Sequence, residues 1–367
     1  MKRSLEKKYM KLALMLAAKA KDKTYPNPMV GAVIVKGRRI VGKGYHHRAG
    51  ENHAEINAIK DAGAACRGAA MFVTLEPCNH YGKTPPCTQG IIESGIKKVY
   101  AAMKDPNPIT GGKGIRKLKK AGIVVNVGIF EENAKELNKK YIKFMTSNLP
   151  YVTVKLAQSI DGKIAARDGS SKWISSELSR KYVRKMRPDF DAIIVGANTA
   201  VNDDPFLLDE KRRGYNVSRI VIDSRLRMSL ESNIIKTAGK APVIIATTEL
   251  APPNKIKKFQ NINGVEIIKT RSKTKKVSLK ALLTKLAQKE MVNVLVEGGG
   301  ELVGSLIDEK LVDEVMFFIS PKIIGGSYSS VKGSGVPNIA GAMELNSVEI
   351  KKYGEDIFVR GMICSQA

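Results

Sequence analysis

The sequence predicts an α/β protein of two domains, and three observations carry this prediction. The chain has 367 residues, which exceeds the size of most single domains. Patterns typical of helices and strands alternate along both halves. Between the halves, Ser147-Asn148-Leu149-Pro150 interrupts the alternation, and a new strand pattern begins at Tyr151. We therefore expect domains at residues 1–147 and 151–367.

Each half has the elements of its own α/β core. In the first half we predict helix 4–21, strands 29–36 and 39–45, helix 53–64, strand 70–74, helix 87–95, strand 97–102, helix 113–121, strand 123–127 and helix 131–146. In the second half we predict strand 151–157, helix 176–187, strands 191–196, 218–223 and 242–247, helix 278–290, strand 292–296, helix 300–308 and strand 313–319. No internal repeat relates the two halves.

Composition indicates a globular protein without a membrane partner. Hydrophobic residues make up 43% of the chain, and no stretch approaches the roughly 20 apolar residues that a spanning helix needs. Residues 12–18 form a short apolar run after lysines, as in a signal peptide, but we interpret them as an amphipathic helix because a strand pattern follows directly. Four irregularly spaced cysteines do not form a disulfide framework, which favours the reducing cytoplasm.

The net charge of +27 raises the question of a nucleic-acid partner. The excess is +17 over residues 1–150 and +10 over the remainder, so it is spread over both halves, and the basic runs are short. Aromatic residues, which could stack on bases, make up 6%. We therefore expect anionic small-molecule substrates and no nucleic-acid partner.

One group of residues in the first half has the composition of a catalytic zinc site. His53 and Glu55 begin a helical pattern, Cys78 follows a strand pattern, and Cys87 comes later in the chain. One imidazole and two thiolates suit Zn²⁺ and leave a fourth position for water, whose pKa the metal lowers. We expect His53, Cys78 and Cys87 to bind zinc and Glu55 to carry the proton without being a ligand. The predicted reaction is the hydrolytic deamination of an amino-pyrimidine.

The spacing of the two cysteines departs from the usual pattern. Zinc nucleobase deaminases carry H-x-E and P-C-x-x-C, whereas here residues 79–86 separate the cysteines. The insertion adds cationic and hydrogen-bonding groups beside the metal. There are two alternative interpretations: a closed structural site with His46, His47 or His80 as the fourth ligand, and buried cysteines that bind no metal.

Several segments of the first half resemble one enzyme family. They are Pro26-Asn27-Pro28-Met29-Val30-Gly31, His53-Ala54-Glu55, the stretch 74–87, and Asp105-Pro106-Asn107-Pro108. Together they closely resemble the bifunctional riboflavin-biosynthesis pyrimidine deaminase/reductase family, and the resemblance extends over essentially the whole chain. It implies a cytidine-deaminase-like three-layer N-terminal domain and a dihydrofolate-reductase-like C-terminal domain. It also implies that the deaminase substrate is bound by Asn27, His46, His80 and Lys83.

The second half has no second centre of cysteine and histidine, because only Cys364 of these residue types follows residue 150. Its clearest motif is Glu297-Gly298-Gly299-Gly300-Glu301, between a strand pattern and a helical pattern. Such a turn can bring backbone N–H groups to a phosphate at a helix N-terminus, although a tight turn without a ligand has the same sequence. The motif is not G-x-G-x-x-G and comes late in its domain, which disfavours a Rossmann domain.

Segments of the second half resemble the reductase part of the same family. They are residues 154–163, 171–174, 195–199, 203–205 and 221–227. The resemblance implies that NADPH reduces a ribosylamino group to a ribitylamino group. It places the cofactor at Ala157, Trp173, Thr199, Asp203, Leu207 and the loop that contains Gly299, Gly300, Glu301 and Ser305. It places the phosphorylated substrate at Lys155, Ser171, Arg187 and Glu297, and it leaves Lys155 and Asp203 as candidate proton donors.

Two positions bear on how the reductase substrate and cofactor are recognised. After Leu207 the family pattern often carries an Arg for the substrate, whereas this chain reads Leu208-Asp209-Glu210-Lys211-Arg212-Arg213, and Arg212 is one candidate. Asp223 at a strand end would favour NAD in a Rossmann domain. Ser224, Arg225 and Arg227 follow it, as a 2′-phosphate site requires, so we expect NADPH with Ser224 at the cofactor.

We therefore predict a bifunctional deaminase and reductase that uses Zn²⁺ and NADPH on a phosphorylated pyrimidine. Two other interpretations remain: a tRNA or other nucleic-acid deaminase whose basic second half binds RNA, and a non-catalytic zinc-stabilised binding module. The opened cysteine spacing argues against the first. Glu55 and the Gly-rich loop argue against the second. The sequence leaves a homo-oligomer open.

Overall fold

The computed structural model divides the chain into two compact units, Met1–Leu149 and Pro150–Ala367. It describes residues 2–21, 23–82, 85–208, 217–271 and 275–364. Each unit is built on one β-sheet. Among the helices in these ranges, none combines the length and the apolar character needed to cross a bilayer.

The first unit alternates strands and helices. Its strands are β1 (Gly31–Lys36), β2 (Arg39–Tyr45), β3 (Ala70–Leu75), β4 (Lys98–Met103) and β5 (Val124–Val127). Its helices are α1 (Lys2–Ala18), α2 (Ala54–Ala62), α3 (Cys87–Glu93), α4 (Lys113–Lys120), α5 (Glu131–Leu137) and α6 (Lys139–Ser147). The strand order is β2-β1-β3-β4-β5, with β1 antiparallel to both neighbours and β3, β4 and β5 parallel.

Two helices show that this sheet is covered on both faces. A Cβ on Gly31 would lie 2.1 Å from a backbone oxygen of α1, and one on Gly44 would lie 2.4 Å from a backbone nitrogen of α2. Gly44 pairs with Ala32, the neighbour of Gly31, and successive residues of a strand face opposite sides. Helices α1 and α2 therefore lie on opposite faces, and the unit has three layers around a continuous apolar core.

The second unit has a nine-stranded sheet in the order β10-β9-β8-β7-β11-β6-β12-β14-β13. Its strands are β6 (Tyr151–Ser159), β7 (Ala192–Gly196), β8 (Ser218–Ile222), β9 (Val243–Thr247), β10 (Val265–Lys269), β11 (Asn293–Val296), β12 (Glu314–Ser320), β13 (Leu345–Tyr353) and β14 (Asp356–Ile363). Its helices are α7 (Glu177–Met186), α8 (Ala197–Asn202), α9 (Asn233–Lys236), α10 (Pro253–Gln260), α11 (Leu279–Gln288) and α12 (Gly300–Asp308). In this order, all strands from β10 at one edge through β12 are parallel to one another. Strand β14 is antiparallel to β12, and β13 is antiparallel to β14. The carboxyl ends of β6, β7, β8 and β11 therefore meet at one edge, where open α/β sheets bind ligands.

Some predicted elements differ from the structure. The single helix predicted over 131–146 is two helices that meet at Asn138, whose side-chain oxygen accepts from Met29 N at 2.8 Å while its amide donates to Met29 O at 3.0 Å. The elements α8, α9, α10, β10, β13 and β14 were not predicted from the sequence. Strand β13 is mostly exposed and its burial does not alternate with a period of two, so it lacks the signal on which strand prediction depends.

Candidate functional site

The three predicted zinc ligands converge in the first unit. His53 Nδ1 lies 3.5 Å from Cys78 Sγ and 3.3 Å from Cys87 Sγ, and one donor atom from each residue lies within 4.8 Å of the others. Neighbouring donors of a tetrahedral site with bonds of about 2.0–2.3 Å lie about 3.5 Å apart. The geometry and the donor set of one imidazole and two sulfurs therefore fit zinc.

Close packing of α2 against β2 fixes the positions of His53 and Glu55. A Cβ on Gly42 would lie 2.4 Å from Ala58 O, so this strand and helix approach each other closely because Gly42 and Gly44 have no side chain. His53 is the extended residue that precedes α2. Glu55 is in the first helical turn and is 3% exposed. The helix thus places the carboxyl group inside the protein beside the ligands.

The buried carboxylate of Glu76, to which no role was assigned from the sequence, fixes the backbone before Cys78. Glu76 accepts hydrogen bonds from the backbone N–H groups of Asp105 at 3.2 Å, Gly112 at 2.9 Å and Ile115 at 3.0 Å. A Cβ on Gly114 would lie 1.9 Å from Pro77 O, so the start of α4 packs directly on the segment before Cys78. Two features of the sequence could have indicated this role. One is an acidic residue between a buried strand and Pro-Cys, and the other is the Gly-rich stretch at 111–114.

The ligand side chains perturb one another's ionisation. Hydrogen bonding from Cys87, together with His53, outweighs burial and lowers the pKa of the Cys78 thiol to about 4. The Cys78 sulfur also accepts from the backbone N–H of Cys87 at 3.3 Å. The hydrogen bond to Cys78 and burial raise the pKa of Cys87, and the hydrogen bond to Cys78 raises the pKa of His53. One thiolate is therefore stabilised before any metal binds.

Glu55 is the buried acid of this site. Burial away from water raises its pKa to about 7, as expected for a carboxyl group with little compensation for lost solvation. A group with a pKa near the working pH is suited to accept and return protons.

Two of the predicted substrate-binding residues contact each other next to the zinc ligands. Asn27 Nδ2 lies 3.2 Å from His46 Nε2, and His46 Nδ1 lies 3.1 Å from Asn52 O. A carbonyl oxygen only accepts, so Nδ1 carries the proton, and Nε2 accepts from the Asn27 amide. The His46 and His53 rings meet edge to face with centroids 5.2 Å apart, and burial lowers the pKa of His46. His80 is exposed, and Lys83 lies outside the described residues.

In the second unit, three predicted substrate-binding residues form a charged cluster. Arg187 and Glu297 make a two-point ion pair, with Nε–Oε1 at 2.7 Å and Nη2–Oε2 at 2.9 Å. Lys155 interacts electrostatically with both, and burial lowers its pKa. Burial opposes the ionisation of Glu297, but Arg187 and Lys155 outweigh it and lower its pKa. The register places Val296 beside Val154 and Ile194, so the cluster lies at the carboxyl edge of the sheet.

The predicted cofactor residues lie on neighbouring parallel strands or in the segments that follow them. Ala157 is on β6, Thr199 is on α8 directly after β7, and Asp203 is the residue that caps the C-terminus of α8. Leu207 is buried with a φ of 49°. Ser224 follows β8, where its hydroxyl accepts from Val277 N at 3.1 Å.

The Gly-rich turn and the loop before α7 complete this set. Gly299 immediately precedes α12, Gly300 and Glu301 begin it, and Ser305 Oγ donates to Glu301 O at 2.9 Å. Trp173 is exposed and Ser171, in the same loop, is half-buried. The stretch 209–216, which contains Arg212, lies outside the part of the chain that the structure describes.

Comparison with known proteins identifies the family. Residues 3–103 match the cytidine and deoxycytidylate deaminase zinc-binding region, and residues 150–359 match the RibD C-terminal domain. The chain belongs to the RibD family. The riboflavin biosynthesis protein RibD of Aquifex aeolicus is 42% identical over 97% of this chain and 98% of its own length. RibD of Escherichia coli is 36% identical over 95% of this chain and 97% of its own length.

Solved RibD structures have the same fold. RibD from Acinetobacter baumannii superposes with a TM-score of 0.86 at 33% identity, covering 99% of this chain and 100% of that one. The Thermotoga maritima diaminohydroxyphosphoribosylaminopyrimidine deaminase/5-amino-6-(5-phosphoribosylamino)uracil reductase superposes with a TM-score of 0.82 at 35% identity, with the same coverage. These comparisons confirm the predicted family and the predicted fold class. They also confirm the prediction that the chain is a bifunctional enzyme with a deaminase and a reductase domain.

Proposed function

We propose that this RibD-family chain catalyses two successive steps of riboflavin biosynthesis. It deaminates 2,5-diamino-6-(5-phosphoribosylamino)pyrimidin-4(3H)-one and then reduces the ribosyl group of 5-amino-6-(5-phosphoribosylamino)uracil to ribityl with NADPH. The observation that carries the proposal is the convergence of His53, Cys78 and Cys87 beside the buried Glu55, in a chain whose second unit is a RibD reductase domain.

In the deaminase site, His53, Cys78 and Cys87 hold the metal and Glu55 moves the proton. Bound zinc supplies a Lewis acid that makes water nucleophilic near neutral pH. Glu55 takes a proton from the water whose oxygen adds to the ring carbon, and it returns the proton to the amino group that leaves as ammonia. His46 orients Asn27, whose amide forms hydrogen bonds with the polar edge of the substrate ring. His80 and Lys83 bind the remainder of the phosphorylated substrate.

In the reductase site, the charged cluster binds substrate beside the cofactor. NADPH supplies a hydride to the sugar carbon that bears the amine. Lys155 gives a proton to the sugar ring oxygen as its bond to that carbon breaks, and Asp203 is the second candidate donor. Arg187, held by Glu297, binds phosphate with Ser171. The residues that would hold the cofactor are Ala157, Trp173, Thr199, Leu207 and Ser224. The turn with Gly299, Gly300, Glu301 and Ser305 would bind its phosphates.

The substrate class and the compartment follow from charge and cysteine usage. We propose that the partner is a phosphorylated small molecule, with no nucleic acid and no membrane, because the basic residues are spread over both units. Binding to generic RNA should be weak and should vanish at moderate salt. All four cysteines are free thiols, which supports the reducing cytoplasm.

One assay tests both activities. Purified protein loaded with zinc is mixed with the diaminopyrimidine ribosyl phosphate, and ammonia and NADPH absorbance are followed together. We expect ammonia with or without NADPH, and oxidation of NADPH only after ammonia appears. Protein stripped of zinc should release no ammonia but should still oxidise NADPH when given the deaminated substrate. Tight binding of tRNA at physiological salt, without activity on the small molecule, would favour the nucleic-acid deaminase instead.

A further inference from the structure

Trp173 is the single tryptophan of the chain. Its side chain is exposed although its backbone is held by hydrogen bonds. It is 63% exposed in the loop between β6 and α7. Lys322 Nζ donates to the carbonyl oxygens of Trp173 at 2.8 Å and Ile174 at 3.1 Å. The next residues are held as well, because Arg180 Nη1 donates to Ser175 O at 2.5 Å.

Arg180 also covers the tryptophan ring. Its guanidinium carbon lies 4.2 Å from the ring centroid, within the range of a cation–π contact. Arg180 is in the first turns of α7. The residue that contacts the ring therefore belongs to a helix and not to a loop. One face of the indole is therefore occupied by a fixed side chain, while most of the ring surface stays open to solvent.

Lys322 is itself anchored to the end of β6. Its backbone carbonyl accepts from Ile160 N at 2.9 Å, and the Asp161 carboxylate accepts from Ile324 N at 3.1 Å and Gly325 N at 2.7 Å. The hydrogen bonds from Ser159 and Gly325 lower the pKa of Asp161 to about 2. The loop that carries Lys322 is thus tied to the strand that carries Lys155 and Ala157.

Keeping an exposed aromatic ring in one orientation costs conformational entropy, and the open surface of the Trp173 ring leaves room for a ligand. A ring held by its backbone and on one face is preorganised to stack on a planar ligand with the other face. We propose that Lys322 and Arg180 are positioning residues that hold Trp173 to receive the nicotinamide cofactor. This inference rests on the proposed function, in which NADPH lies at Trp173.

Because Trp173 is the only indole, its fluorescence in the full-length protein tests the proposal directly. In the wild-type protein, titration with NADPH should quench the Trp173 emission. In Lys322→Met, acrylamide should quench the emission of the free protein more strongly, and the Kd for NADPH should rise about tenfold, the effect of losing charge-assisted hydrogen bonds. Since binding rather than chemistry is altered, KM for NADPH should rise while kcat changes less than about twofold.

Matched variants separate positioning from a general loss of structure. Lys322→Arg keeps a donor for both carbonyls and should restore most of the NADPH affinity. Lys257→Met removes an exposed lysine from α10 and should behave as wild type. Arg180→Lys keeps the charge but loses the planar group over the ring, so it should also raise acrylamide quenching and KM. The deaminase rate should be unchanged in every variant.

Two contrary outcomes are distinguishable. If NADPH quenches Trp173 in the wild-type protein but Lys322→Met and Arg180→Lys match it in acrylamide quenching and NADPH affinity, the positioning role is wrong and the proposed function stands. If the wild-type protein oxidises NADPH without any change in Trp173 emission, the cofactor does not lie at Trp173, and the positioning role falls with that placement. If Lys322→Met does not fold, Arg180→Lys decides between these outcomes.

Discussion

Glu55 and Glu76 are both buried carboxylates of the deaminase unit, and their surroundings give them different tasks. Glu76 accepts three backbone N–H groups from the segment 105–115 and thereby holds the backbone before Cys78. Glu55 lies beside the sulfur of Cys87, and burial raises its pKa to about 7. A carboxylate saturated by N–H donors is structural, whereas one with a raised pKa can exchange protons.

Replacing Glu55 by Gln should abolish proton transfer without removing the metal. The amide has the same shape but does not accept and return a proton, so we expect deamination to fall by about 10²–10⁴-fold. Zinc content, measured by metal analysis, should stay near one per chain, and reduction of the deaminated substrate should be unchanged. Loss of zinc, or a rate equal to that of the wild-type protein, would show that Glu55 has another role.

Replacing Glu76 by Gln provides the matched structural change. The amide has one oxygen in place of two, so its N–H donors would face either the N–H groups of Asp105 and Gly112 or the N–H group of Ile115. The unfolding free energy should therefore fall by about 1–3 kcal/mol. Zinc should then be lost at lower chelator concentration than from Glu55→Gln. Denaturant unfolding and chelator titration measure the two effects. A Glu76→Gln protein as stable as the wild type would contradict the role given to this carboxylate.

At the scale of elements, α12 depends on two different properties of its glycines. A Cβ on Gly300 would lie 2.1 Å from Ser329 O, and one on Gly304 would lie 2.2 Å from the backbone of Lys332. These two glycines let the segment 329–333 pack directly on the helix. Gly299 differs, because a Cβ there would meet no atom within 4 Å. The absence of a side chain at Gly299 is therefore less important for packing than for leaving the N-terminus of the helix accessible.

Substitutions at Gly299 and Gly300 should therefore separate cofactor binding from folding. Gly299→Val should leave the melting temperature close to that of the wild type but raise the Kd for NADPH at least about tenfold by blocking the approach of phosphate. Gly300→Ala should lower the melting temperature, because its methyl group meets backbone. Calorimetry and NADPH titration distinguish the two. A Gly299→Val protein with normal NADPH affinity would remove the turn from the proposed cofactor site.

Strand β8 carries a buried arginine that ties the backbone next to Leu207 to the end of α9. Arg219 donates to Phe206 O at 2.9 Å, Thr237 Oγ1 at 2.7 Å and Ala241 O at 2.6 Å. Burial lowers its pKa to about 10, so the side chain stays charged at neutral pH. Phe206 precedes Leu207, so the hydrogen bond to Phe206 O supports the backbone at this predicted cofactor residue.

Arg219→Lys should destabilise the second unit. A lysine has one nitrogen in place of the fork that reaches separate carbonyls, so buried acceptors lose their donors and the free energy of unfolding should fall by about 2–4 kcal/mol. Reductase activity should be lost at lower temperature, while the deaminase activity of the same chain serves as the control. Equal loss of both activities would indicate a role outside the second unit.

At the scale of the whole molecule, each unit has its own sheet and its own apolar core. The zinc ligands all belong to the first unit, and the charged cluster with Lys155 belongs to the second. A fragment of residues 150–367 should therefore bind NADPH and reduce the deaminated substrate without zinc. Fluorescence titration on Trp173 and an absorbance assay measure this. A folded fragment that needs zinc for reduction would show that the sites are not independent.

The sequence by itself determined the family, the fold class and the chemistry of the metal site, because His-x-Glu and Pro-Cys are local motifs at the ends of elements. It also located most strands and helices, since their buried faces repeat along the chain. The tertiary structure alone decided which distant groups meet. Trp173 and Lys322 are 149 residues apart, Arg187 and Glu297 are 110 apart, and Asn138 interrupts a helix for a contact 109 residues away. Such pairs depend on strand order and register, which bring together residues that no local pattern connects.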